Sequence, residues 1–283
     1  VLGVRIDGVR RWELVERVVQ SARRRARMTV LYVNAHCMNL QARDDIYRDL
    51  LADADIVYCD GMGVLLAARM TGQTIPERMT GADWIEDLCQ AARRHDLSLY
   101  LLGAKPEVVL LAAEALRTRY PGLRIVGASD GYDVGPDTIA EINQSRPDIL
   151  LVGMGPPRQE KWIAQHRAEL KVPVVWAVGG LFDVVSGCVP RGPRWMTQHG
   201  LEWLCRLVVE PRRLWRRYLL GNPRFLWRVL MSGIVSSTEG VARRSVADQR
   251  RPQRPVQGRV RPGIAQPPPF PPGWDAGAVR PGR

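Results

Sequence analysis

Lysine is nearly missing from this chain, standing only at Lys105, Lys161 and Lys171, so a formal charge of +12 comes from arginine. Such an excess points to an anionic partner: nucleic acid, a phosphorylated substrate or an acidic lipid surface. Cysteine is sparse and unpaired in pattern. Cys37, Cys59, Cys89, Cys188 and Cys205 lie far apart with no C-x-x-C spacing, which excludes a disulfide framework and a thiolate zinc site and suits a reducing, cytoplasmic setting. The four histidines (His36, His95, His166, His199) form no H-E-x-x-H pair, so no metal is expected. There is no G-x-S-x-G elbow, no Walker A loop and no complete G-x-G-x-x-G fingerprint, which argues against an α/β-hydrolase, a P-loop enzyme and a nicotinamide dehydrogenase. No apolar run reaches the ~18 residues of a membrane span, and Val1–Asp7 lacks a signal-peptide layout.

What is present is a chain of 283 residues, 46% of them apolar, enough to bury a substantial core. Trp12, Leu14, Val15, Val18 and Val19 repeat at helical spacing within 11–28. Thr29–Val33 then reads as a strand ending on Asn34 and His36, followed by a helix over 37–52. Strands are expected at 55–59, 98–103, 123–128, 148–153 and 173–178, with helices at 62–71, 82–95, from Pro106, 136–144 and 157–169. Near-continuous apolar strands alternating with helices predict an α/β, Rossmann-like, mostly parallel sheet covered on both faces, over residues 1–190.

From 191 to 237 the composition shifts to arginine and tryptophan, with Arg191, Arg194, Arg206, Arg212, Arg213, Arg216 and Arg217 among Trp195, Trp203, Trp215 and Trp227. Apolar positions there suit short amphipathic helices broken at Pro211 and Pro223. They read either as a membrane-surface appendage or as helices packed on the sheet with their arginines in water. Residues 238–283 are rich in proline, glycine and arginine, and a disordered tail is expected there.

The stretch Ile56–Asp83 organises the chemistry. A strand stops on Asp60-Gly61-Met62-Gly63, placing a carboxylate at the sheet edge where open α/β folds bind ligands. Asp60 is therefore either a reacting carboxylate or the cap of the next helix. Arg78, in Arg78-Met79-Thr80-Gly81-Ala82-Asp83, supplies a fork-shaped cation suited to phosphate. Gly153-Met154-Gly155-Pro156-Pro157-Arg158-Gln159-Glu160 follows one strand and opens a helix, either an anion cradle or a structural turn. Gly179-Gly180-Leu181-Phe182-Asp183 brings a second flexible backbone and a carboxylate to the same edge.

These residues, with Gly187-x-x-x-Arg191-x-Pro193-x-Trp195 and Leu201-Glu202-Trp203-x-x-Arg206 through Pro211-x-Arg213, resemble the WecG/TagA/CpsF glycosyltransferase family over about residues 1–230. The resemblance implies an inverting, metal-independent and cofactor-free transfer of a sugar from a UDP-sugar to undecaprenyl-diphosphate-linked N-acetylglucosamine, in cell-surface polysaccharide synthesis at the inner membrane face. It places the catalytic base on Asp60. Substrate contacts would fall on Asn34, Arg78, Thr80, Asp83, Gly155, Gln159, Gly179, Gly180, Asp183, Arg191, Arg206 and Arg213. The implied partners are the UDP-sugar, the polyprenyl-diphosphate acceptor and an anionic membrane surface, not nucleic acid, with self-association left open. The chain departs from the family pattern at Tyr32, Arg158 and Gly192, where threonine, lysine and alanine are usual. The rival reading is a non-catalytic nucleotide-sugar or nucleic-acid binder.

Overall fold

A computed structural model of the chain describes residues 1–132, 134–193, 196–197 and 200–232. Arg194, Trp195, His199 and the expected tail at 238–283 lie outside the described residues.

Six parallel strands form one sheet in the order β2-β1-β6-β5-β3-β4. They are β1 (Met28–Val33), β2 (Ile56–Cys59), β3 (Ser98–Gly103), β4 (Arg124–Ser129), β5 (Ile149–Gly153) and β6 (Val174–Ala177). The helices are α1 (Arg11–Arg23), α2 (Ala35–Leu40), α3 (Asp45–Asp53), α4 (Met62–Met70), α5 (Gly81–Arg94), α6 (Pro106–Arg119), α7 (Pro136–Ser145), α8 (Arg158–His166) and α9 (Leu181–Val185). Right-handed crossovers put α5 and α6 on one face and α3, α7 and α8 on the other. The packing agrees: α1 lies on α5, and α9 on α5 and α6, while α3 lies on α8. β1 therefore hands the chain to one face and its neighbour β6 to the other, which opens a crevice at their carboxyl ends.

The expected α/β architecture is what the chain adopts, because β2, β3, β5 and β6 are buried at every position and can be apolar throughout. The single helix expected over 37–52 is two. α2 ends at Leu40, and Asp44 restarts the chain by accepting the Tyr47 N–H (2.9 Å) and pairing with Lys161 (2.7 Å). A cap fixed by a partner 117 residues away overrides the helix-forming residues between.

Under the crevice, Trp84 of α5 stacks on Trp176 of β6 with ring centres 3.9 Å apart, and Trp84 Nε1 donates to the Tyr58 hydroxyl (3.2 Å). These buried aromatics make the floor rigid.

After α9 come α10 (Glu202–Val209), α11 (Pro211–Trp215), a π-helical turn (Arg216–Leu220) and helical residues 221–232. Leu214, Phe225 and Val229 are buried, so the segment packs on the core. Yet Val208, Leu219, Leu220 and Trp227 remain more than half exposed. The packing half of the two sequence readings is therefore present: one face packs on the core, and the other leaves apolar side chains and arginines exposed.

Candidate active site

Register places the central pair. β1 and β2 run side by side with Val33 opposite Cys59, so the next residues, Asn34 and Asp60, emerge together at the sheet edge. The Asn34 side chain is held at both ends. Its oxygen accepts the His36 and Cys37 backbone N–H groups (3.0 and 3.2 Å), capping α2, which leaves its amide nitrogen to donate to Asp60 Oδ2 (3.2 Å). Asp60 itself does not cap α4. That cap position is Gly61, with φ +98°, a conformation that costs glycine little and sharply turns the chain away from the carboxylate.

Burial pushes Asp60 up to about 6. The Asn34 amide, Arg206 and Arg217 pull against this, while Glu202 adds to it. A carboxylate of that affinity can take a proton near neutrality. Burial and Arg217 push His36 down to about 4, so this cleft-lining imidazole is neutral.

Around the pair lies a cleft of about 1070 Å³, at the upper end of the range for ligand pockets. Tyr32, Asn34, His36, Asp60, Arg78, Thr80, Gly155, Arg158, Gly179, Gly180, Asp183, Glu202, Arg206, Arg213 and Arg217 all line it. Arg206 donates to the Gly180 carbonyl (3.3 Å). Arg213 pairs with Glu210 (3.1 Å). Arg217 has a buried Nε with no hydrogen-bond partner among the described residues. The π-helical turn begins next to Arg217, and such turns recur at functional sites because they re-aim side chains.

Three residues expected at the substrate stand behind the cleft wall instead. Gln159 is fully buried, and its side-chain oxygen accepts the N–H groups of Gly155 (3.1 Å) and Gly179 (3.0 Å), tying two cleft loops together. Asp83 closes a capping box on α5, accepting the Thr80 N–H and hydroxyl (each 2.9 Å). Burial raises the Asp83 carboxyl, but the Thr80 bonds, Arg191 and Arg78 outweigh it and hold the group below its usual range. Arg191 is spent on Asp83 and on the Ala82 carbonyl (3.0 Å). Arg78 lines the cleft while lying 3.7 Å from Asp83 and 3.8 Å from Glu202 and donating to the Thr197 carbonyl (3.3 Å), so it also joins core to C-terminal segment.

Sequence reasoning missed Glu160. It is buried beside Gln159, whose amide nitrogen donates to it (2.8 Å), and burial pushes it up to about 7. The signal was its place on α8, on the same inward face as Trp162 and Ile163. Among the described residues, no group of three or more histidine, cysteine, aspartate or glutamate side chains is arranged to hold a metal ion. Among them, too, no helix is long and apolar enough to cross a membrane.

A profile of the glycosyl transferase WecG/TagA/CpsF family matches residues 1–239. The chain belongs to this family. Its relatives include the N-acetylglucosaminyldiphosphoundecaprenol N-acetyl-β-D-mannosaminyltransferase of Bacillus subtilis (strain 168), 34% identical over 70% of this chain and 77% of the relative. The enzyme of the same name from Staphylococcus aureus (strain NCTC 8325 / PS 47) is 28% identical over 81% of this chain and 91% of the relative. As a member of the WecG/TagA/CpsF family the chain is a glycosyltransferase, which sets aside the rival reading of a binding module without turnover.

Proposed function

We propose that this glycosyltransferase moves a sugar from a UDP-sugar to undecaprenyl-diphosphate-linked N-acetylglucosamine, with inversion and without a metal ion. The observation that carries the reading is Asp60, bonded to Asn34 and raised to about 6, inside a cleft lined by Arg206, Arg213 and Arg217. In one displacement an acceptor hydroxyl oxygen bonds to the anomeric carbon as the bond to UDP breaks. Asp60 takes the hydroxyl proton, and the electron pair leaves on the diphosphate. The three arginines meet that growing negative charge, an electrostatic role that can contribute several kcal/mol.

Asn34 keeps Asp60 oriented, and Gly155, Gly179 and Gly180 give the donor close backbone approach. Thr80 and Asp183 contact substrate from the cleft wall. Gln159, Asp83 and Arg191 support that wall, and Arg78 serves both substrate and wall. The relatives' names make N-acetylmannosamine the first donor sugar to test, ahead of a hexose. The exposed apolar side chains and arginines of 202–232 dock the enzyme peripherally on the anionic inner face of the cell membrane.

The test is turnover by the full chain with UDP-N-acetylmannosamine and the lipid acceptor, in buffer containing a chelator. A β-linked product made at an undiminished rate is expected. Absence of product across a panel of UDP-sugars, or a requirement for manganese or magnesium, would overturn the reading.

A further inference from the structure

Beyond the polar site, one wall of the same cleft is apolar and open. Met62, Leu66 and Met70 form a stripe along α4 and are 37%, 46% and 43% exposed; Met62 and Leu66 line the cleft, and Met70 continues the stripe past its lining. The stripe starts two residues after Asp60 and extends about 12 Å at the 1.5 Å rise of a helix. Facing the same cavity from the C-terminal segment are Leu219, Pro223 and Leu226, with Leu219 53% exposed. Phe225 pins the two walls, its ring 3.7 Å from where a side chain on Gly63 would begin. Arg69, Arg213 and Arg217 line the cavity as well.

We propose that the groove between α4 and residues 219–226 takes the first isoprenoid units of the acceptor's polyprenyl chain. The inference rests on the acceptor proposed above and adds where its lipid lies. An apolar stripe continuous with a cationic pocket fits an amphiphile with an anionic head, and the named relatives act on such a molecule, a sugar diphosphoundecaprenol. A second copy of this chain fits less well, since a net charge of +12 would bring like charge to the arginines.

Two acceptors with the same sugar diphosphate separate the outcomes, one carrying a long polyprenyl chain and one a short alkyl chain. The wild type prefers the long chain. In L66Q, and independently in L219Q, the long-over-short ratio of kcat/KM falls about tenfold, as expected for loss of one buried apolar contact. Both residues are exposed, so folding tolerates the change. Equal loss on both acceptors, a changed oligomeric state with an unchanged ratio, or a wild type indifferent to chain length would overturn the proposal. A second readout needs no turnover: a photoreactive prenyl diphosphate without sugar labels 62–70 and 219–226. Labelling elsewhere sinks the groove even if transfer is confirmed, and labelling there supports it even if the donor assignment fails.

Discussion

Asp60 and Asn34 show how one side chain sets another's chemistry. The Asn34 oxygen is committed to the α2 cap, so the orientation of its nitrogen toward Asp60 is decided by backbone geometry. Asp60→Asn, which keeps the shape but cannot take a proton, lowers kcat by about 10² to 10⁴ while UDP binding persists, as titration calorimetry beside an initial-rate assay would show. The base works only when ionised, so kcat/KM climbs with pH up to about 6 and levels off above. Asn34→Ala removes a bond that favours the ionised form and moves that midpoint upward. Glu160 gives a stability signature of opposite use. Folding lifts its carboxyl from 4.5 to about 7, so the native state keeps a proton that the unfolded chain releases. Glu160 therefore lowers the unfolding free energy as pH rises from about 4.5 through 7, and Glu160→Gln makes the decline shallower in urea titrations, leaving the share due to Asp60. Asp60 was legible because it ends a buried strand. Its hydrogen bond to Asn34 was not, since it depends on the register Val33 opposite Cys59.

Among elements, the strands were the most legible, because burial on both faces leaves unbroken apolar runs. The failures came where distant partners decide: the break before α3, and the capture of Arg191 by Asp83 across 108 residues. Neither leaves a local pattern to read. The π-helical turn was equally hidden, yet it carries a prediction. Arg217 presents a buried Nε with no hydrogen-bond partner among the described residues, and in the proposed mechanism departing UDP supplies one. Arg217→Ala thus lowers kcat about 10² to 10³, comparable to removing one donor from an oxyanion site, with Tm nearly unchanged. A wild-type rate in that variant would shift the charge-neutralising role onto Arg206 and Arg213 alone.

For the whole molecule, charge and apolar surface act together. With arginine and exposed tryptophan on the C-terminal segment, binding to anionic vesicles weakens as salt rises yet persists in part at about 1 M, where the Debye length is about 3 Å and apolar insertion carries what remains. Flotation assays across a salt series check this. Complete release at high salt would mean that charge alone holds the protein. Nucleic acid should not compete, because Asp60, Asp83 and Asp183 gather at the sheet edge, and a gel-shift assay would reveal it if it did.

The ties of Arg78 to Asp83, Glu202 and the Thr197 carbonyl change how such experiments must be designed. Cutting the chain near residue 190 would do more than delete the proposed lipid-binding surface. It would take Glu202 from Arg78 and Arg191 from Asp83, and redistribute charge around the general base. An inactive shortened enzyme would therefore be ambiguous, whereas trimming outward-facing hydrocarbon such as Trp227 or Val208 isolates adhesion from chemistry.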